Sequence, residues 1–378
     1  MTAGGPGALR AELAALRDRP RRIYLACTGA GAGLQNELWS IPGCSSFFAG
    51  ATFPYAPDAT ASFLGFEPER FCSPETALDL AMASYMAAFD PAHAANDPPG
   101  PIGLGLTASV ASLEEHRGAH RVHVACMTTT RVLAANITLP KATGIEARAN
   151  DGAIADAAAA SLLLAAAGLA DATGHEDVTG QARERFFARP YFDEAGHRFP
   201  LGPASVASPL PSRCVLFPGA FNPPHEGHFA IARLLERQGG QRAVFAITTD
   251  PPHKPALTVG ELLQRAKLLA GHPRLFTQGD PLYLDKARRF PGLPFVIGAD
   301  ALIRMLDPKW GVSPEQLLAE LRATGTRFYV VGRVVDGVFV SCEDALLHVP
   351  EAHRDLFVGA EGRWDMSSTA LREANLSG

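Results

Sequence analysis

No two of the six cysteines (Cys27, Cys44, Cys72, Cys126, Cys214, Cys342) form a C-x-x-C pair. Scattered thiols of this kind fit reduced, buried side chains in a cytoplasmic protein better than a disulfide frame or a zinc site. The first ten residues have no basic segment leading into an apolar run, so no secretory leader is expected. The most apolar stretch, residues 153–170, is alanine and leucine interrupted by Asp156, which suits a buried helix rather than a membrane span. Net charge is −5 and no long basic run exists, which argues against nucleic acid as a partner. No repeat of fixed period is visible. There is also no acidic cluster that would cage a metal ion with protein ligands alone.

What is present is ample core material: 47% hydrophobic and 19% charged residues over 378 positions, enough for two domains. Apolar runs alternate with helical patterns in both halves, the signature of α/β architecture. Strand patterns fall at 22–27, 102–106 and 121–128, with a helix at 34–39. A strong helix start stands at Ser73-Pro74-Glu75-Thr76. Four prolines between Arg198 and Arg213 mark a linker. The expected division is residues 1–195, a linker at 196–212, and residues 213–378.

The densest signal opens the second domain. Cys214 to Phe217 reads as a strand, and Pro218-Gly219-Ala220-Phe221-Asn222-Pro223-Pro224 as a tight turn. A helix follows from about His225, with Phe229, Ile231, Ala232, Leu234 and Leu235 as its apolar face. His225 and His228, three apart on the first turn, share one face. Free amides and the positive dipole end at a helix N-terminus suit phosphate, and two imidazoles beside them can donate to its oxygens. Near the C-terminus, Ser367, Ser368 and Thr369 open a last helical pattern with Arg372 one turn on, a second set of phosphate donors.

These two stretches resemble the G-x-F-x-P-x-H-x-G-H and I-S-S-T-x-x-R motifs of the nucleotidyltransferase superfamily, in that family's order. Pro251-Pro252-His253-Lys254-Pro255, Phe295-Val296-Ile297-Gly298-Ala299-Asp300 and Val330-Val331-Gly332-Arg333 are similar to segments of the nicotinate- and nicotinamide-mononucleotide adenylyltransferases. The resemblance implies a Rossmann-like domain with a parallel sheet that joins the AMP moiety of ATP to a pyridine mononucleotide and releases pyrophosphate. In that reading His225, His228, Ser368 and Arg372 are catalytic. Gly219, Ala220, Phe221, Gly298, Asp300, Ser367 and Thr369 bind the nucleotide, and Lys254 and Trp310 the acceptor. Lys254 also reads as a solvated loop lysine, and Trp310 as a rim aromatic. Mg²⁺ would be held mainly by the nucleotide's phosphates, with no protein metal site. Phosphopantetheine or a polyol phosphate as acceptor, and a nucleotide-binding regulatory pseudoenzyme, are the alternatives. Neither amide-over-acid preference nor oligomeric state, homo-oligomer included, follows from the sequence.

In the first domain, Gly29-Ala30-Gly31-Ala32-Gly33 lacks the last glycine of a dinucleotide fingerprint, since Leu34 stands there. Leu38-Trp39-Ser40-Ile41-Pro42-Gly43-Cys44-Ser45-Ser46-Phe47-Phe48, the Tyr55 to Gly65 segment, Leu104 to Thr107 and Val122 to Ala125 resemble the C-terminal domain of the CinA family. Active members of that family are amidohydrolases of nicotinamide mononucleotide. The family's nucleophilic serine falls on or near Thr28 and its lysine on Thr60, so the resemblance comes with degenerate catalytic positions. Thr28, Tyr55 and Thr107 are expected to line a pocket, and the domain is expected to serve ligand binding, oligomerisation or regulation rather than run an amidase.

Overall fold

The computed structural model describes residues 8–18, 21–91, 100–188, 191–192, 198–199, 210, 213–252, 254–335 and 338–364. Two compact units divide the chain, Met1–Arg189 with Thr258–Gln264, and Pro190–Leu257 with Arg265–Gly378. The C-terminal serine and threonine motif and His253 lie outside the described residues.

The first unit is built on strands β1 (Ile23–Thr28), β2 (Phe48–Thr52), β3 (Ile102–Ser109), β4 (Arg121–Met127), β5 (Val132–Thr138) and β6 (Glu176–Asp177), in the order β2-β1-β3-β4-β5-β6. β1 runs parallel to β2 and β3, while β3 to β6 pair antiparallel, so the sheet is mixed. Its helices are α1 (Ala8–Leu13), α2 (Ala32–Trp39), α3 (Pro57–Leu64), α4 (Pro74–Ala88), α5 (Ile145–Ala166) and α6 (Thr179–Ala188). The start at Ser73 holds: its hydroxyl accepts from the Thr76 amide at 3.2 Å, with Pro74 at the first helical position. β5 was not marked by sequence pattern, because its run of small residues alternates only weakly. Pairing with β4 is what makes it a strand.

The two faces of this sheet differ in kind. Ile23, Leu25, Ile102, Leu104 and Leu106 point one way, into a core shared with α2 and α5. The opposite face carries Gly103 and Gly105, against which α4 packs at backbone distance. A methyl on Gly105 would stand 2.2 Å from the Ala77 carbonyl oxygen and 2.3 Å from the Ala81 nitrogen. The glycine-rich turn before α2 is already occupied by the chain itself. Asp156 of α5 accepts from the Leu34 amide at 3.1 Å, and a methyl on Gly33 would meet its Oδ2 at 2.1 Å. Burial pushes that carboxyl up to about 6, against the pull of the Leu34 and Gly33 amides. An internal carboxylate thus takes the place a dinucleotide phosphate would need.

In the second unit, β7 (Tyr191–Phe192) and β8 (Arg198–Phe199) form a short antiparallel pair. The main sheet comprises β9 (Cys214–Gly219), β10 (Arg242–Thr248), β11 (Arg274–Thr277), β12 (Phe295–Gly298), β13 (Phe328–Val335), β14 (Val338–Val340) and β15 (Phe357–Trp364). Its order is β11-β10-β9-β12-β13-β14, with β15 also beside β13, and only β14 runs antiparallel. Helices α7 (Glu226–Gly239), α9 (Tyr283–Arg289), α10 (Ala299–Met305), α11 (Pro314–Ala323) and α12 (Cys342–Leu346) complete it, with the end of α8 (Val259–Leu268), whose residues up to Gln264 belong to the first unit. The central strands are buried along nearly their whole length, as a sheet covered on both faces requires. From β9 the chain winds outward through β10 and β11, then returns to β9's other side as β12. That reversal opens a crevice at the carboxyl ends of β9 and β12, the place where open α/β sheets hold ligands.

Because α4 meets Gly105 backbone to backbone, Gly105→Ala must push the helix outward. We expect a loss of about 2 kcal/mol or more in the first unit's stability, read as an earlier unfolding step in a urea titration. An unchanged midpoint would show that the helix has slack.

Candidate active site

The register of the central strands sets the site. Leu216 of β9 pairs with Phe295 of β12, so three residues on, Gly219 and Gly298 end their strands side by side. Gly219 also pairs with Ile247 of β10, and Gly298 with Val331 of β13.

After β9 the chain turns at Phe221, which has a left-handed φ of 47° and is 2% exposed. Packing holds it there: its ring meets Phe245 edge-on at 5.2 Å and Phe217 at 5.6 Å. It lies under Gly219, where a methyl would come within 2.7 Å of the ring. Gly219, Ala220 and Phe221 therefore form one tight turn, whose shape needs the missing side chain at Gly219.

That turn delivers His225 as the extended N-cap of α7 and His228 one turn in, their ring centroids 3.8 Å apart. Both are buried, at 5% and 6% exposure. The backbone N–H of His225 donates to Nδ1 of His228 at 3.1 Å. An Nδ1 that accepts places the proton of a neutral imidazole on Nε2. Burial, then the His225 ring and the Arg333 guanidinium, push His228 down to about 3. His228 is therefore a neutral donor of fixed tautomer. His225 is pushed down as well, by burial and then by Arg333. Both its ring nitrogens are buried without a hydrogen-bond partner among the described residues. An imidazole left in that state costs stability and is poised for an incoming oxygen.

Arg333, late on β13, is the residue that sequence reasoning did not place in the site. The only signal was its position in Val330-Val331-Gly332-Arg333. Its charge acts on both histidines, and a methyl on Gly298 would stand 3.2 Å from its Cγ. That methyl would also lie 2.6 Å from Asp300 Oδ1, so Gly298 keeps a floor clear between a cation and a carboxylate. Asp300, in the first turn of α10, pairs with Arg304 at 2.6 Å. Trp310, half-buried on a 3-10 turn, donates its Nε1–H to the Arg304 carbonyl at 2.6 Å, while Lys309 lies 5.3 Å from its ring centroid. Arg304 thus ties Trp310 to Asp300, a link invisible in the spacing. Lys254 is exposed on a turn closed by its own N–H to the Pro251 carbonyl at 3.3 Å. Ser367, Ser368, Thr369 and Arg372 lie outside the described residues. Among the described residues no group of three or more His, Cys, Asp or Glu side chains is placed to hold a metal ion.

In the first unit, Thr28 ends β1 and pairs with Thr107 of β3. The Thr107 hydroxyl donates to the Phe71 carbonyl at 2.7 Å. Tyr55 is 68% exposed and receives a long 3.5 Å bond from Arg148. Thr60 is buried and gives its hydroxyl to the Pro54 carbonyl at 2.6 Å and that of Ala56 at 3.2 Å, so it faces inward.

Residues 216–374 match the family model described as cytidylyltransferase-like. A probable nicotinate-nucleotide adenylyltransferase of Gloeobacter violaceus is 30% identical over 184 residues, which cover 44% of this chain and 85% of that protein. The chain belongs to the cytidylyltransferase-like family. Its second unit is a nucleotidyltransferase. The N-terminal region is similar to CinA superfamily structures. One, from Agrobacterium tumefaciens, is 17% identical with a TM-score of 0.35, over 44% of this chain and 98% of that one. Another, from Escherichia coli, is 14% identical with a TM-score of 0.33, over 43% and 93%. No helix among the described residues of this cytidylyltransferase-like chain is long and apolar enough to cross a membrane.

The His228 environment has a definite sign. Its folded value, about 3, lies below the unfolded 6.5, so its contribution to stability is full above 6.5 and is lost as pH falls towards 3. In ring-nitrogen NMR, His228 should stay in the neutral Nε2–H form from about pH 8 to about pH 5. A titration midpoint near 6.5 would contradict the buried geometry.

Proposed function

We propose that the second unit joins the AMP moiety of ATP to nicotinamide or nicotinate mononucleotide and releases pyrophosphate. The observation that carries the transferase chemistry is His225, whose two buried ring nitrogens have no partner among the described residues, beside the fixed donor of His228 at the crevice between β9 and β12. Such a site is pre-organised for phosphate oxygens and needs no reorganisation when charge develops there.

The acceptor's phosphate oxygen attacks the α-phosphorus in line, a P–O bond forms, and the bond to the β-phosphate breaks with its electron pair leaving as pyrophosphate. No side chain becomes a covalent intermediate. His228 donates its Nε2–H to a phosphate oxygen, and His225 supplies a second ring nitrogen next to it. Arg333 adds the fixed positive charge. Ser368 and Arg372 are assigned the same task from the C-terminal motif, and Ser367 and Thr369 bind the nucleotide with Gly219, Ala220, Phe221, Gly298 and Asp300. Magnesium would enter on the triphosphate, neutralising its charge, with few or no protein ligands.

The pyridine acceptor is supported by the Pro251 to Pro255 loop with Lys254, by Trp310 as a ring platform, and by the name of the Gloeobacter relative. In the first unit, Thr60 stands where the resembled amidases have lysine and spends its hydroxyl on two carbonyls. We therefore assign that unit a binding role rather than amide hydrolysis.

With ATP, Mg²⁺ and either mononucleotide, purified protein should release pyrophosphate. Release with phosphopantetheine or glycerol phosphate but with neither pyridine mononucleotide would overturn the acceptor. His228→Ala should lower kcat/KM by about 100-fold or more, roughly 3 kcal/mol of transition-state stabilisation, with partial recovery in His228→Gln. A near-normal rate in His228→Ala would remove His228 from the chemistry.

A further inference from the structure

The sheet of the first unit carries a polar patch that adenylyl transfer does not use. Residues paired across neighbouring strands share a face. On the face that α4 covers, the inner rows are small or apolar: Tyr24, Gly103 and Met127, then Ala26, Gly105 and Ala125. The next row is wholly polar, with Thr28 beside Thr107, Thr107 beside His123, and His123 beside Asn136. Ser109, Arg121 and Thr138 form the row after it. The change comes where the helix stops, since Thr107 bonds to Phe71, two residues before the N-cap Ser73. Beyond the start of α4 the sheet face is lined with hydrogen-bonding side chains.

Two of these groups point to a ligand. Arg121 is half-buried, and its Nε is buried without a hydrogen-bond partner among the described residues. A guanidinium cannot shed its charge, so leaving a buried donor unmatched costs free energy that a bound oxyanion would return. His123, two positions along β4 and on the same face, is buried, and its Nδ1 lies 2.7 Å from Asn136 Oδ1. With the amide oxygen accepting, Nδ1 carries the proton and Nε2 keeps its lone pair. Burial is the main reason the imidazole is held below its usual value, with Arg121 acting the same way and Asn136 and Glu75 opposing.

We propose that this patch binds a small carboxylate that also carries a hydrogen-bond donor, the carboxylate on Arg121 and the donor on His123 Nε2. The two grips are roughly 7 Å apart along the strand, which sets the span of the ligand. Ser109 and Thr138 flank the carboxylate. The charges nearby favour a monoanion over a dianionic phosphate. Arg121 pairs with no carboxylate among the described residues, Glu75 lies close enough to act on His123, and Arg185 is already paired with Asp79 at 2.5 Å. The site is independent of the transferase crevice and of the acceptor assigned to it.

The test is calorimetry on the full chain with 4-hydroxybenzoate, benzoate and inorganic phosphate, alongside ring-nitrogen NMR of His123. Binding of 4-hydroxybenzoate is expected, with benzoate several-fold weaker for want of the donor and phosphate weaker still. Arg121→Gln should weaken 4-hydroxybenzoate about tenfold or more, as loss of a charge-assisted bond requires. In the unaltered protein the His123 Nε2 resonance should move on addition of the ligand, a readout that does not depend on the variant folding. Absence of binding, phosphate as the tightest of the three, equal binding by Arg121→Gln, or a stationary Nε2 resonance would each overturn the proposal.

Discussion

One hydrogen bond organises the second unit's chemistry: the backbone N–H of His225 to Nδ1 of His228. It satisfies a helix-terminal amide and fixes the tautomer of the second histidine in a single contact. Its geometry depends on the turn before it. Gly219 leaves room for the Phe221 ring, and that ring packs under His228 at 5.0 Å, which helps to bury it. Burial then keeps His228 uncharged beside Arg333. Charge on the protein side thus comes from an arginine that cannot lose it, and directional donation from an imidazole of settled tautomer. On the proposed reading a triphosphate meets both.

The two sheets put their polar groups in different places for a topological reason. In the second unit the parallel strands reverse direction of winding at β9 and β12, and the crevice opens beyond their carboxyl ends. In the first unit the sheet is mixed, and α4 covers only part of one face. Gly103 and Gly105 draw the helix down onto the sheet, and past the start of α4 the same face carries Thr107 and His123, both buried, and the half-buried Arg121. Asp156 settles a further question there. A turn rich in glycine before a helix invites a phosphate, yet here its amides meet a carboxylate from α5.

Local signals in the sequence carried far. The strand–turn–helix at Cys214 to Gly239 was legible because glycine, proline and the apolar stripe each act within a few residues. The Ser73 helix start and the central strands of both units were legible for the same reason. What depends on partners distant in sequence was not. β15 became a strand through pairing with β13, and β5 through pairing with β4. Arg333 joined the histidines only because β13 lies beside β12, and Asp156 meets Leu34 across 122 positions. The polar row of Thr28, Thr107, His123 and Asn136 exists only as register across four strands, and no spacing along the chain announces it.

The central claim is that an adenylyl group moves to a pyridine mononucleotide in the second unit. Tracing label from the α-phosphate of ATP through a reaction with nicotinate or nicotinamide mononucleotide tests it most directly. The account predicts that the label appears in a pyridine dinucleotide, one equivalent for each pyrophosphate released. Label that stays in ATP, or that ends in free AMP, would contradict it.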